Sequence, residues 1–184
     1  MRTLLAVLTC ALAFVPGLAF ASSGEQSEPP RIEVQEHGGV YSVDATFGVS
    51  QPARTVLAIL TDYEQIPRYM PEVRKSIVQE RTATGAVVEQ EAVSKVMFFS
   101  KRVHLVLEVQ EDSTTVRFRD TCGNSFSKYE GLWTVAESGG RTLVRYQLTA
   151  KPSFDVPEFL LKRLLKRDSG EMIERLRREI ESDR

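Results

Sequence analysis

Alternation begins just after the small, polar, proline-ended stretch SSGEQSEPP (residues 22–30), which reads as a flexible leader. In YSVDATFGVS, apolar Tyr41, Val43, Ala45, Phe47 and Val49 take the odd positions, and Ser42, Asp44, Thr46, Gly48 and Ser50 the even ones. A period of two marks a strand with one buried face. Gly38-Gly39 ahead of it predicts a turn from a short strand around Ile32 to Gln35. The period then lengthens. Pro52 stands near a first helical position, and Val56, Leu57, Ile59 and Leu60 follow at helical spacing until Thr61-Asp62.

Strand-like runs return in PEVRKSIVQERTATGAVVEQEAVSKVMFF, with a turn at Thr84-Gly85. Val103, Leu105, Leu107 and Val109 alternate, and after a turn at Glu111 to Ser113 the pattern resumes with Val116 and Phe118. A further hairpin folds about Ser138-Gly139-Gly140, its second strand alternating Thr142, Val144, Tyr146, Leu148 and Ala150. Consecutive hairpins imply an antiparallel sheet. The chain closes on a helical stripe of Leu160, Leu161, Leu164, Leu165, Met172, Ile173, Leu176 and Ile180. Gly170 interrupts it at ~1 kcal/mol relative to alanine, which predicts a bend. One long helix cannot fill the hollow of a curved sheet with backbone. Side chains fill it, or a ligand does, and element order alone does not decide between them.

The first residues change the picture of where this happens. Arg2, an apolar run from Leu4 to Val15, Pro16-Gly17 and then Ala19-Phe20-Ala21 follow the order of a secretory signal peptide over residues 1–21. The run is short for a membrane span, which needs about 20 apolar residues. The expected location is therefore outside the inner membrane, in the periplasm, with one domain over residues 31–184. Cleavage also removes Cys10, which leaves Cys122 without a partner in the chain, so the core must hold the fold. With 24 basic and 25 acidic residues and no long basic block, nothing attracts nucleic acid.

Catalytic chemistry is sparse. His37 sits beside a glycine turn, and His104 falls on the outward parity of its strand. Neither has a second ligand at zinc spacing, so no metal is expected. Cys122 has no base beside it in sequence, and no phosphate loop or nucleophile elbow is present. No cofactor is called for. Glu89 and Glu91 share one parity and Gln90 and Ser94 the other; a solvated face paired with Arg or Lys is the favoured reading of the two glutamates.

The segment TDYEQIPRYMPEV sets Pro67 and Pro71 around Arg68, Tyr69 and Met70. Together with YEGLWTV and KPSFDVPEFLL, it resembles the helix-grip superfamily: START-like lipid-transfer domains, polyketide cyclases and, nearest, coenzyme-Q-binding START-like proteins. The resemblance runs from about Tyr41 to Leu176, and its most specific part is Asp62 to Pro71. It implies an α+β fold, a curved seven-stranded antiparallel sheet around a long C-terminal helix with two short helices after the first strand. It also implies a hydrophobic tunnel for an apolar or aromatic molecule, or a cyclase/dehydratase acting in the same cavity. The secretory leader departs from the best-known members, which act inside cells.

Expected ligand contacts are Tyr63, Ile66, Tyr69 and Met70 from the proline segment, Phe118, Trp133 and Tyr146 from the strands, and Phe154, Phe159, Leu160 and Leu164 from the last helix and its approach. Prolines stiffen the first group so that it can close the tunnel mouth. Each of these aromatics is equally a candidate for plain core. The basic quartet Lys162, Arg163, Lys166 and Arg167 reads either as a solvated helix face or as a point of transient contact with anionic lipid at a membrane surface.

Overall fold

Alternating strands that turn back on themselves through short loops can only pair antiparallel, and the computed structural model, which describes residues 28–96, 99–154 and 157–182, shows that arrangement throughout. The strands are β1 (Arg31–His37), β2 (Val40–Val49), β3 (Val73–Thr82), β4 (Gly85–Val96), β5 (Phe99–Glu111), β6 (Thr115–Asp120), β7 (Phe126–Ser138) and β8 (Arg141–Pro152). They form one sheet in the order β1-β2-β8-β7-β6-β5-β4-β3. The helices are α1 (Ala53–Thr61), α2 (Ile66–Tyr69) and α3 (Glu158–Ser182), with a single 3-10 turn at Tyr63–Gln65. The signal peptide read at residues 1–21, and most of the leader, lie outside the described residues.

Seven strands were expected and eight are present. The additional one is β1, which pairs with β2 from Arg31↔Thr46 to His37↔Val40. Gly38 and Gly39 make the tight return, both at positive φ (60° and 77°), where a side chain would be strained. The short helices consequently follow the second strand, not the first.

Register decides which side chains meet inside. The odd residues of β2, β5 and β7 and the even residues of β4, β6 and β8 form the inner face, as buried Val43, Phe47, Val88, Leu107, Phe118, Trp133 and Tyr146 show. On α3, Ile173, Leu176 and Ile180 are buried against that face and Leu164 is also buried, and the helix runs as one element through Gly170, where Ile32 Cδ1 fits 3.5 Å from the position a Cβ would take. Its close backbone contacts are concentrated on β1 and β2, then on α1 and α2. The inner faces of β5 to β7 therefore stand further from the helix backbone, and side chains span the difference.

Candidate functional site

Long aromatic side chains do that spanning. Trp133 and Tyr146, directly paired across β7 and β8, hold ring centroids 4.3 Å apart. Phe118 lies 5.9 Å from Tyr129, Tyr129 lies 4.9 Å from Phe126, and Phe126 meets Phe154 edge-on at 6.3 Å. The four rings make a continuous row from mid-sheet to the approach to α3, where Lys101 Nζ sits 4.8 Å over the Phe154 ring. Gly131 makes room for it: a Cβ there would overlap the Phe118 ring and lie 2.7 Å from the Gln147 carbonyl oxygen.

Polar groups on this wall are few. Burial first holds the Tyr129 phenol up at about 12, and burial likewise keeps the Tyr146 phenol well above its usual range; the two hydroxyls interact with each other. Both stay protonated hydrogen-bond donors at any physiological pH. Gln90 Nε2 donates to the buried Ser76 Oγ at 3.2 Å. Trp133 is only 8% exposed, and no acceptor for its indole N–H is found among the described residues. Because no fully enclosed side-chain nitrogen or oxygen lacks a partner there, that N–H still borders accessible space.

The proline segment forms a separate group. Pro67 occupies the first turn of α2, where its missing N–H costs nothing, and Met70 N–H closes the turn on Ile66 O at 2.8 Å. Here α2 touches both β3 and α3, so it bridges the sheet's β3 edge and the long helix. Two ion pairs fasten the bridge to α3, Arg68 with Glu179 and Glu72 with Arg175. Ile66, Tyr69 and Met70 are half-buried against the core beneath it. Tyr69 titrates above its ordinary range because of burial and then the nearby Glu179 and Asp62 carboxylates. Tyr63 is more deeply set. Its hydroxyl donates to Glu111 Oε1 at 2.6 Å while Arg81 lies 5.5 Å over its ring.

The structure thus brings Phe118, Trp133 and Tyr146 onto one wall, with Phe154 at its end, and holds Tyr63, Ile66, Tyr69 and Met70 together at the bridge. Leu164 is buried and Leu160 half-buried on α3, whereas Phe159 is 78% exposed. Tyr129 and Phe126 join the row without having been singled out. Tyr129 shares the parity of Trp133, a signal that Gly131 between them conceals.

The outer face carries the charges. Glu89 and Glu91 point outward, to Lys75 Nζ at 3.3 and 3.8 Å. Hydrogen bonds from His104 and then Lys75 hold the Glu89 carboxyl below its usual range. One expectation changes here: the fold places His104 beside Cys122, Nδ1 3.8 Å from Sγ, with His104 Nε2 3.2 Å from Glu89 Oε1. A cysteine, imidazole and carboxylate in that order suggest a nucleophile, but Asp120 occupies the ground such chemistry needs. Its Oδ1 accepts from the Cys122 thiol (3.2 Å) and N–H (3.3 Å), and its Oδ2 from Gly123 N–H (3.0 Å). The N–H groups that would steady an oxyanion are committed, and the cluster fastens a turn. Two depressions, of about 350 and 340 Å³, open to the outside: one is lined by outward Glu108, Arg117, Arg119 and Gln147 and reaches Phe118 and Gly131, the other is lined by Ser50 to Pro52 and the β7–β8 turn.

This architecture is shared with solved structures. A STAR-related lipid transfer protein from Xanthomonas axonopodis superposes with a TM-score of 0.69 at 17% identity, over 85% of this chain and 96% of its own. A START superfamily protein from Mycobacterium smegmatis gives 0.63 at 19% identity, over 76% and 97%. The Zhui aromatase/cyclase from Streptomyces sp. R1128 gives 0.64 at 16% identity, over 77% and 94%. No curated protein matches the sequence. A family model does, across residues 41–181, which include every strand of the inner wall, the α2 bridge and nearly all of α3: the chain belongs to the polyketide cyclase / dehydrase and lipid transport family.

Proposed function

We propose that the protein binds a hydrophobic small molecule, such as a lipid, quinone or aromatic metabolite, between α3 and the inner faces of β4 to β8, and sequesters or carries it. The observation that carries this reading is the side-chain row from Phe118 to Phe154, which fills space that helix and sheet backbones do not approach closely. Rotating rings costs far less than parting a backbone, so such a filling yields to a ligand. Transfer of ~200 Å² of ligand apolar surface out of water, at ~25 cal/mol per Å², supplies about 5 kcal/mol. Exchange proceeds by opening of the α2 bridge. A secreted, periplasmic chain of this kind suits an apolar molecule that must cross an aqueous space, and Lys162, Arg163 and Lys166, exposed on α3, suit brief contact with an anionic membrane during loading.

The family's description and the likeness to an aromatase/cyclase favour one second reading, a cyclase or dehydratase using the Tyr129–Tyr146 hydroxyls as proton donors. Organic extraction of the natively purified protein, followed by mass spectrometry, tests the main reading. A co-purifying apolar molecule, or uptake of an apolar probe, is the expected result. A protein that carries none and takes up none refutes both readings.

A further inference from the structure

On the outer face, side chains of neighbouring strands stand in two straight rows across the sheet. One row runs from Glu108 on β5 to Arg119 on β6 and Glu130 on β7, each directly opposite the next. The row beside it runs from Gln110 to Arg117, Leu132 and, on β8, Gln147. All of them line the depression of about 350 Å³, which falls in the ~300–1,000 Å³ range of small-molecule sites.

Charge is distributed unequally between the rows. The first is satisfied within the chain: Arg119 donates to Glu108 Oε2 through Nε at 2.9 Å and Nη2 at 2.5 Å, and Glu130 takes Lys128 Nζ at 2.8 Å. In the second row Arg117 is the one charge. It is exposed, and among the described residues it has neither a hydrogen bond nor an ion pair. Its cross-strand neighbours Gln110 and Leu132 are neutral, and the carboxylates diagonal to it are engaged elsewhere. One positive charge is therefore left uncompensated, beside the half-buried apolar side chain of Leu132. The far wall is fixed in advance, because Gln147 Nε2 donates to Asp44 Oδ2 at 3.1 Å and Arg145 holds Asp44 in turn. A guanidinium fork matches the two oxygens of a carboxylate. A dianion would set a second negative charge near Glu108 and Glu130, so a single charge fits best.

We infer that this depression is a binding site, separate from the interior one, for a small monocarboxylate with an apolar body. The carboxylate accepts from Arg117, and the body lies on Leu132. The inference is independent of the interior-binding reading.

The test titrates benzoate into the full chain, followed by NMR of methyl groups and arginine side chains. It is run in about 0.1 M salt, where exposed charges more than ~10 Å apart are screened. Benzoate should shift the Leu132 methyls and the Arg117 Nε–H together. Benzamide, of the same shape without the charge, should bind at least roughly tenfold more weakly, the worth of hydrogen bonding to a charged group. Arg117→Gln should weaken benzoate by about tenfold or more. Arg102→Gln removes an exposed positive charge six residues from Glu108 along β5, ~20 Å away, and should change the affinity by less than about twofold. Equal binding of benzamide, equal loss in both variants, or no loss in Arg117→Gln overturns the site. So do shifts confined to inward methyls such as Val88 and Leu107, and the absence of any shift. Should Arg117→Gln fail to fold by circular dichroism, the benzoate and benzamide comparison on the unaltered chain decides the matter.

Discussion

Ile173, Leu176 and Ile180 on α3 and Phe118, Trp133 and Tyr146 on the sheet are all buried, but in different company. The aliphatic set is clamped where α3 lies directly on β1 and β2, and its side chains are 0% exposed. The aromatic set faces a helix that keeps more distance, and it retains a few per cent of accessible surface. Both halves exclude water, yet only the first is sealed by backbone on both sides. The lesson is that burial alone does not separate core from binding wall; what lies behind the side chain does.

The largest effect should come from the sealed half. Ile173→Ala is expected to cost 2–5 kcal/mol, as large-to-small changes at fully enclosed sites do, read from urea unfolding. Phe118→Ala removes a bigger side chain but should cost less, and fluorene should recover part of its lost Tm, because the vacated space admits a ligand. A larger loss for Phe118→Ala with no recovery would break the comparison. Gly131→Ala comes next. Its Cβ meets the Phe118 ring and an unyielding carbonyl, so ~1–3 kcal/mol of overpacking is expected. Paired with Phe118→Ala, the glycine change should lose that part of its cost due to the ring, a coupling that a double-mutant cycle measures.

Smaller effects belong to the bridge. Glu72→Ala removes its ion pair to Arg175, worth ~0.2–1 kcal/mol at an exposed carboxylate, and should quicken probe release in stopped-flow mixing more than it lowers stability. The smallest concerns the β5–β6 turn of the aromatic half. The Thr115 hydroxyl, then the Thr114 and Thr115 N–H groups, hold the Asp112 carboxyl down at about 2, against an ordinary 3.8. A depressed carboxyl contributes stability above its unfolded value and loses it as pH falls from about 4 towards 2. Asp112→Asn should lose that contribution at neutral pH and show a flatter Tm profile across this window; identical profiles would show the turn to be indifferent to the charge.

Much of this was legible in the sequence, because a period of two is a local signal. The inward parity of Val103 to Val109 and the outward place of His104 follow directly from it. Other features depend on residues far apart. Glu72 and Arg175 are separated by 103 positions, and nothing local brings them together. The pairing of His104 with Cys122 depends on how β5 meets the turn after β6. Tyr129 escaped notice because glycine breaks the apolar alternation at 131. The eighth strand was visible as a short run around Ile32, but a family pattern beginning near Tyr41 left it uncounted.

That extra strand has a consequence for how the protein behaves in solution. A sheet ends in unpaired peptide groups, which invite another chain to add itself. With β1 in place, the apolar strand β2 has neighbours on both sides, and the rim is instead a seven-residue ribbon whose outward side chains are Arg31, Glu33, Gln35 and His37. Charge and polarity at this rim make it a poor template for further pairing, so copies of this chain do not readily stitch their sheets together through β1, one of the sheet's two edges.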